Sequence, residues 1–155
     1  MGPGDGTAAR DRLAGIAAVS AQADTGEEAL RHHPEAELAI RTIAMPADTN
    51  ANGDIFGGWL MAQMDLAGGS AAVRRARGRV ATVAVDGMTF HRPVKVGDEV
   101  SLYARVAGVG RSSIRVSVEA WRRPALGESS KVTEATFVFV AIGADGRPRP
   151  VDPAP

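Results

Sequence analysis

The sequence predicts an α+β protein in which one helix lies across a curved antiparallel sheet. One helical segment, from residue 57 or 58 to about residue 76, follows a first short strand and precedes four further strands. The four later strands are joined by short connections, which is typical of antiparallel neighbours. In residues 112–119, Ile114, Val116 and Val118 alternate with polar or charged side chains, the period of a strand covered on one face. A chain of 155 residues has room for one such core.

The strands are predicted from apolar runs bounded by Gly and Pro. Residues 38–45 form a short apolar run that ends at Pro46, and Gly78 ends the helix. Residues 80–90 are nearly continuous Val, Ala, Thr and Met, which predicts a strand buried on both faces. The remaining strands are predicted at residues 99–109, 112–121 and 131–142, and a Pro-rich tail follows.

The first 36 residues differ from the rest of the chain in composition and in hydrophobic pattern. They are rich in Ala, Gly and charge without an apolar period, which favours a disordered extension over a folded segment. A weak signal-peptide pattern is present, with basic residues before a short apolar stretch at residues 13–19. Ala and Gly lower the hydrophobicity of that stretch. The pair His32 and His33 is a weak metal motif. We therefore assign residues 1–36 to an extension and residues 37–150 to the folded domain.

Composition excludes several classes of function. The formal net charge is zero, so no overall field attracts nucleic acid or an anionic membrane. The chain has no cysteine, which removes disulfides, thiolate metal sites and a cysteine nucleophile. No apolar run is long enough to span a membrane. We expect a cytoplasmic protein with no nucleic-acid partner, no membrane partner and no metal.

Motifs for other chemistries are incomplete. Residues 48–53 resemble the start of a calcium loop, but the twelfth position, which needs Glu, is Trp59. No Gly-x-Ser-x-Gly sequence is present, which argues against an α/β-hydrolase triad. His91, the one histidine beyond the extension, is predicted to be a solvated turn residue. The arginines near the chain's end and after the fourth strand are predicted to be solvated charges: Arg122, Arg123, Arg147 and Arg149.

Asp65 is the one carboxylate on the predicted helix, which is otherwise almost wholly apolar before residue 74. At 100° per residue it lies opposite the polar stripe of Gln63 and Ser70. Its neighbours on that side are Gly58, Met61, Gly68 and Ala72. A charge in an apolar setting is costly unless something offsets its desolvation, so Asp65 is a candidate catalytic group.

Two glycines at the predicted helix start suggest a partner for this carboxylate. Gly57 and Gly58 leave backbone N–H groups accessible, and the helix dipole there favours developing negative charge. They are candidates for an oxyanion hole. A purely structural alternative remains open, in which the glycines allow close packing and Asp65 forms an ion pair with an arginine.

Several long blocks resemble the YciA-type acyl-CoA thioesterases of the hotdog-fold superfamily. The first is MPADTNANGDIFGGWLMAQMD at residues 45–65, and the second is GRVATVAVDGMTF at residues 78–90. Shorter blocks follow as RPV, VGD, GRSS and FVFVA. The resemblance covers about residues 40–150 and is specific because the blocks are long and unbroken.

The resemblance implies a hotdog fold, in which a sheet wraps one long helix, and assigns roles to residues. It implies dimers with one continuous sheet, trimers of such dimers, and active sites at the dimer interface. The essential acid falls on Asp65, the loop asparagine on Asn50 and the helix-start amide on Gly58. The residues implied for coenzyme A binding are Arg111, Ser112 and Ser113, with Gly57 beside them as a further substrate-binding candidate.

The function expected from this resemblance is hydrolysis of acyl-CoA to a free acid and coenzyme A. Asp65 is expected to act either as general base on water or as a nucleophile that forms an anhydride. No cofactor is expected beyond the coenzyme A of the substrate. The alternative is a non-catalytic acyl-CoA sensor of the same fold. An enoyl-CoA dehydratase is a weaker alternative, because such enzymes pair Asp with a catalytic His and none lies near this helix.

Overall fold

A computed structural model describes residues 31–155 of the chain, of which residues 32–155 form one compact unit. The secretory pattern and nearly all of the predicted extension lie outside the described residues. Within residues 31–155, no helix is long and apolar enough to cross a membrane. The same residues contain no group of three potential metal-ligating side chains.

The described chain has one helix and five strands in the predicted order. A single 3-10 turn, Pro46–Asp48, lies between the first strand and the helix. The elements are β1 Glu37–Ile43, α1 Gly57–Ala76, β2 Val80–Val85, β3 Glu99–Val109, β4 Ser113–Arg123 and β5 Ser130–Ala141. The α+β architecture and the hotdog arrangement of one helix on a sheet are confirmed.

The five strands form one antiparallel sheet in the order β1-β3-β4-β5-β2. Strands β3, β4 and β5 are consecutive neighbours, whereas α1 separates β1 from β2 in the chain and these two strands become the sheet edges. The helix packs on one face of the sheet. Each edge strand therefore has hydrogen-bonding groups on one side without a neighbouring strand among residues 31–155.

The core lies between α1 and the covered face of the sheet. The predicted alternation in β4 is confirmed, because Ile114, Val116 and Val118 are fully buried in this core. The helix contributes mainly small residues with two larger ones, and β5 contributes two aromatic rings. The central members are Leu60, Met64, Ala67, Gly68, Ala72, Phe137 and Phe139.

The outer face of the sheet carries a buried carboxylate. Glu119 is 5 % exposed, and it accepts a hydrogen bond from the backbone N–H of His33 at 2.8 Å. Lys131 lies 3.0 Å from Glu119 and 3.0 Å from Glu134. Burial alone lowers the pKa of Lys131, but hydrogen bonds to Glu134 and Glu119 outweigh it and raise that pKa overall. Lys131 and the His33 N–H thus offset the cost of removing the Glu119 carboxylate from water.

The prediction of a strand over residues 80–90, buried on both faces, is wrong. β2 ends at Val85, and Val83 and Val85 are 57 % and 40 % exposed. The physical reason is the position of β2 at the edge of the sheet, where β5 is its one neighbouring strand among the described residues. Beyond it the backbone meets β5 again at His91, whose N–H donates to the Val132 carbonyl oxygen at 2.8 Å.

The prediction that Arg122 is a solvated charge is also wrong. Its side chain is 22 % exposed and lies 3.3 Å from the carboxylate of Asp98, which is itself buried. Arg122 also donates to the carbonyl oxygen of Pro93 at 2.7 Å. The backbone N–H of Lys95 completes the shell of Asp98 at 2.9 Å. This ion pair holds the connection between β2 and β3 against the sheet.

Gly68 marks the closest approach of the helix to the sheet. A Cβ atom there would lie 3.2 Å from the Phe139 ring and 3.2 Å from Val118 Cγ2, both in the rigid core. At the next residue, Gly69, a Cβ atom would meet Phe139 at an ordinary 3.6 Å. The two adjacent glycines therefore differ in how much space surrounds them.

We predict opposite effects of alanine at these two positions. Gly69→Ala should raise the free energy of unfolding by up to about 1 kcal/mol, because alanine favours the helix. Gly68→Ala should lower it, because overpacking costs about 1–3 kcal/mol and outweighs that gain. Urea denaturation of both variants checks this, and equal stabilisation of the two would contradict the close packing described here.

Candidate active site

Asp65 lies at the flank of the buried stripe of α1. It follows the fully buried Met64 by one residue, which turns its side chain by about 100° away from the core centre. Among its predicted neighbours Gly68 and Ala72 are buried, whereas Met61 is 40 % exposed. The carboxylate is partly buried as a result, at the boundary between core and surface.

Thr82 on β2 holds the carboxylate of Asp65. Its hydroxyl Oγ1 donates a hydrogen bond to Asp65 Oδ1 over 2.6 Å. No Lys, Arg or His among residues 31–155 forms an ion pair with Asp65. The structural alternative, in which an arginine neutralises this aspartate, therefore has no support within the described chain.

The elements beside Asp65 expose apolar side chains. Leu66 is 60 % exposed on α1, and Val83 is 57 % exposed on the free edge strand. Met61 lies one helical turn before Asp65 and is also exposed. Clustered apolar exposure beside an unpaired strand edge is typical of a surface that another chain covers.

The start of α1 presents free backbone donors. The N-cap residue Phe56 has extended backbone geometry and supplies no side-chain hydrogen bond. The N–H of Trp59 bonds to the Phe56 carbonyl oxygen at 3.1 Å, whereas the first N–H groups of a helix have no acceptor within it. Gly57 and Gly58 are exposed at this point. Their amides are therefore available to a negatively charged or polarised oxygen.

Asn50 organises the loop that leads into the helix. Its side-chain oxygen Oδ1 accepts hydrogen bonds from the backbone N–H groups of Asn52 and Asp54, at 2.9 and 3.1 Å. Its own N–H donates to the Asp54 carbonyl oxygen at 2.8 Å. No described residue accepts a hydrogen bond from its side-chain NH₂ group, which leaves that donor for a ligand.

Gly58 and Asp65 are too far apart to act together within one chain. Seven residues separate them on α1. At 1.5 Å per residue this is about 10 Å along the axis, whereas both groups would need to lie about 3 Å from one reacting carbonyl. If these two groups serve one substrate, they come from different protomers.

A cavity of about 380 Å³ opens beside the helix start. Gly57, Phe90 and His91 contribute to its wall, and the other lining residues are Ile55, Phe56, Leu60, Arg92, Pro93, Val94 and Val132. The lining is mostly apolar. His91 was predicted to be a solvated turn residue, and this is wrong: it is partly buried in the cavity wall because its backbone is fixed to β5.

The turn between β3 and β4 lies away from the helix start. Gly110 and Ser113 close it through an N–H to carbonyl bond of 2.8 Å. Ser112 accepts from Ala141 at the end of β5, and Arg111 accepts from Val151, each at 2.8 Å. The structure therefore places Arg111, Ser112 and Ser113 together, but beside the C-terminal residues rather than beside Asp65 in the same chain.

Two features of the site were not predicted from the sequence. Thr82 is the one hydroxyl residue in the apolar run Val80–Val85, and this isolation is a signal that could have identified it. Phe90 of the cavity wall was hidden at the end of a segment predicted to be strand, and His91 directly follows that segment. That part of the site depends on where β2 leaves the sheet.

Comparison with known proteins agrees with this arrangement. A family model described as the thioesterase superfamily matches residues 52–126. The acyl-CoA thioester hydrolase YciA of Salmonella typhimurium is 55 % identical over 122 residues, which are 76 % of this chain and 92 % of that protein. The chain belongs to the YciA-like group of the hotdog-fold thioesterase superfamily.

Two solved structures have the same fold at high sequence identity. The hexameric thioesterase y2039 from Yersinia pestis is 53 % identical, with a TM-score of 0.74, over 79 % of this chain and 100 % of that chain. A hexameric broad-specificity acyl-coenzyme A thioesterase is 46 % identical, with a TM-score of 0.75, over 84 % of this chain and 89 % of that chain.

Proposed function

We propose that this protein hydrolyses acyl-CoA thioesters to a carboxylic acid and coenzyme A, with Asp65 as its catalytic carboxylate. One observation carries the assignment: Asp65 is partly buried, is held by the Thr82 hydroxyl, and has no cationic partner within residues 31–155. An oriented carboxylate without a counter-charge is suited to accept a proton or to attack a carbonyl. The activities of the relatives described above support the substrate class.

In the proposed reaction, the Gly58 N–H donates a hydrogen bond to the thioester carbonyl oxygen. Acting as a general base, Asp65 removes a proton from water while the water oxygen attacks the carbonyl carbon. The negative charge that develops on the carbonyl oxygen is stabilised by the amide and by the dipole of α1. The intermediate then expels the coenzyme A thiolate, which takes up a proton.

In a second route, Asp65 acts as a nucleophile. A carboxylate oxygen attacks the thioester carbonyl carbon, the thiolate leaves, and an acyl anhydride remains on Asp65 until water hydrolyses it. Asn50 is placed to orient water or the thioester in either route, because its side-chain NH₂ group is not used by the described chain.

The proposed site lies between two protomers. Because Gly58 and Asp65 are about 10 Å apart along one helix, a two-fold axis that sets two helices antiparallel would bring each Gly58 towards the partner's carboxylate. The free edge of β2 and the exposed Leu66 and Val83 lie on the side where such a partner would pack. We propose a dimer with one continuous sheet, and a trimer of such dimers as in the hexameric neighbours.

The rest of the substrate is assigned to the remaining surfaces. The mostly apolar cavity next to Gly57 is suited to an acyl chain whose carbonyl lies at the helix start. The turn Arg111, Ser112 and Ser113 supplies hydroxyl and guanidinium donors for the phosphates of coenzyme A.

We predict that Asp65→Asn abolishes most turnover. The amide keeps the size of the side chain and can still accept the Thr82 hydrogen bond, but it cannot take a proton or attack. Loss of a positioned acid or base typically lowers a rate by about 10²–10⁴. A thiol-trapping assay with acyl-CoA measures kcat, and light scattering checks that the oligomer persists.

Asp145→Asn is the matched control, since Asp145 lies in the exposed turn after β5 and accepts from the Arg147 N–H. Its kcat should equal that of the unmodified protein. Near-normal turnover in Asp65→Asn would refute the assignment. Tight acyl-CoA binding without thiol release by the unmodified protein would indicate the sensor alternative.

Thr82 is proposed as a positioning residue that acts through Asp65. Thr82→Val keeps a β-branched side chain for the strand but removes the hydroxyl donor. A hydrogen bond to a charged group contributes about 1.5–3 kcal/mol, so we expect kcat to fall at least about tenfold with little change in KM.

Thr82→Ser restores the donor and should recover most of the lost kcat. A merely structural role for Thr82 would lower the yield or thermal stability of both variants alike. Recovery by valine rather than by serine would contradict the proposed role of the hydroxyl.

A further inference from the structure

The cavity beside the start of α1 has an exposed mouth and a buried inner wall. Phe56 and Phe90 are 42 % and 41 % exposed, so their rings lie at the mouth. A Cβ atom at Gly57 would lie 3.4 Å from the Phe90 ring, which places that ring against the helix start. An acyl chain whose carbonyl lies at the helix start would enter beside these rings. It would then meet the inner wall, which consists of three buried side chains: Leu60, Val94 and Val132.

Two polar side chains interrupt this apolar lining, and they differ in their partners. The Nη1 group of Arg92 donates a hydrogen bond to the Lys131 carbonyl oxygen at 2.9 Å, which ties this guanidinium to β5. The ring of His91 forms no hydrogen bond or ion pair with any of residues 31–155, although His91 is partly buried. The ring nitrogens of His91 are therefore not used by the described chain.

The backbone around His91 is bonded to β5 at two points. The His91 N–H donates to the Val132 carbonyl oxygen at 2.8 Å. The hydroxyl of the buried Thr133 donates to the Thr89 carbonyl oxygen at 2.7 Å. Because this backbone is already ordered, the imidazole can bind a ligand with little further loss of conformational entropy.

An imidazole without a partner in an apolar wall distinguishes between acyl chains. A plain alkyl chain displaces water from the ring nitrogens and supplies no hydrogen bond in its place, which is unfavourable. A hydroxyl on the chain can donate to a neutral imidazole or accept from it, and it can accept from a protonated one. A carboxylate would instead require a full counter-charge in this mostly apolar cavity.

We propose that His91 is a specificity-determining residue, which favours acyl groups that carry a hydroxyl along the chain over plain alkyl groups. This inference rests on the acyl-CoA hydrolysis proposed above and concerns which acyl groups the cavity accepts. His91 directly follows Phe90 at the mouth, and its N–H is bonded to Val132 of the inner wall. A hydroxyl between the mouth and the inner wall is therefore the group that the ring would bind.

The test compares six-carbon acyl groups that differ by one hydroxyl. Hexanoyl-CoA is the reference, and 3-hydroxyhexanoyl-CoA and 5-hydroxyhexanoyl-CoA carry the hydroxyl nearer the mouth or nearer the inner wall. His91→Leu removes both ring nitrogens and leaves an apolar side chain in the wall. In this variant the kcat/KM for the better hydroxy isomer, divided by that for hexanoyl-CoA, should fall about two- to tenfold, the range for one neutral hydrogen bond. An unchanged ratio for both isomers would overturn the proposal.

Two further variants separate hydrogen bonding from shape and folding. The ratio does not depend on the folded fraction, because all substrates are measured on one preparation. His91→Gln keeps a donor and an acceptor and should retain the preference of the unmodified protein. His33→Leu is the matched control, since His33 is an exposed histidine outside the cavity lining, and its ratio should not change. Equal loss of preference in His91→Gln and His91→Leu would contradict a role in hydrogen bonding.

Adipyl-CoA, whose acyl chain ends in a carboxylate, tests the anionic alternative. A preference for adipyl-CoA that depends on His91, without one for either hydroxy isomer, would assign the ring to a carboxylate and overturn the proposal. If the unmodified protein released no thiol from any of these substrates, the proposed function would fail. Calorimetry with hexanoyl-CoA and the hydroxy isomers would then still decide the role of His91, through the ratio of dissociation constants in the unmodified protein and in His91→Leu.

Discussion

The helical separation between Gly58 and Asp65 is the constraint on which the proposed site depends. Two turns of α-helix separate a free backbone donor from the carboxylate by about 10 Å, and no side-chain motion closes that gap. If Gly58 and Asp65 both act on one thioester, as proposed, the two groups have to come from two copies of the chain. The exposed apolar side chains near Asp65 and the unpaired edge of β2 are the other consequences expected of such an arrangement. Association and chemistry are thus linked in this account, because the surface that dimerises also completes the site.

The two ends of the helix have different chemical surroundings. The start offers unpaired N–H groups and a mostly apolar cavity, which suit a polarised carbonyl and its acyl chain. The end gathers arginines around Arg77 and the C-terminal segment. The small residues of the buried helical stripe, such as Gly68, keep the helix close to the sheet between these ends.

Local patterns determined which parts of this structure were predictable. The helix bounds and the alternation in β4 follow from periodicity within one segment, and both were predicted closely. β2 was predicted too long because burial of an edge strand depends on its neighbours, and apolar composition alone did not reveal that it pairs on one side. Asp65 was identifiable as an isolated charge, whereas its contact with Thr82 depends on tertiary packing across 17 residues. The prediction that Arg149 is a solvated charge is wrong for the same reason, because its Nη2 group donates at 2.9 Å to the carbonyl oxygen of Ala76, 73 residues away in sequence.

The most direct measurement of the shared site is complementation between two inactive variants. Asp65→Asn lacks the carboxylate, and Gly58→Pro lacks the amide donor at a helix turn that tolerates proline. Each variant alone should release almost no thiol from acyl-CoA. Mixed oligomers, isolated through two different affinity tags, should regain activity, because one of the two sites in each mixed dimer then combines an intact Gly58 with an intact Asp65. Mixed oligomers as inactive as their parents would contradict a site built from two protomers.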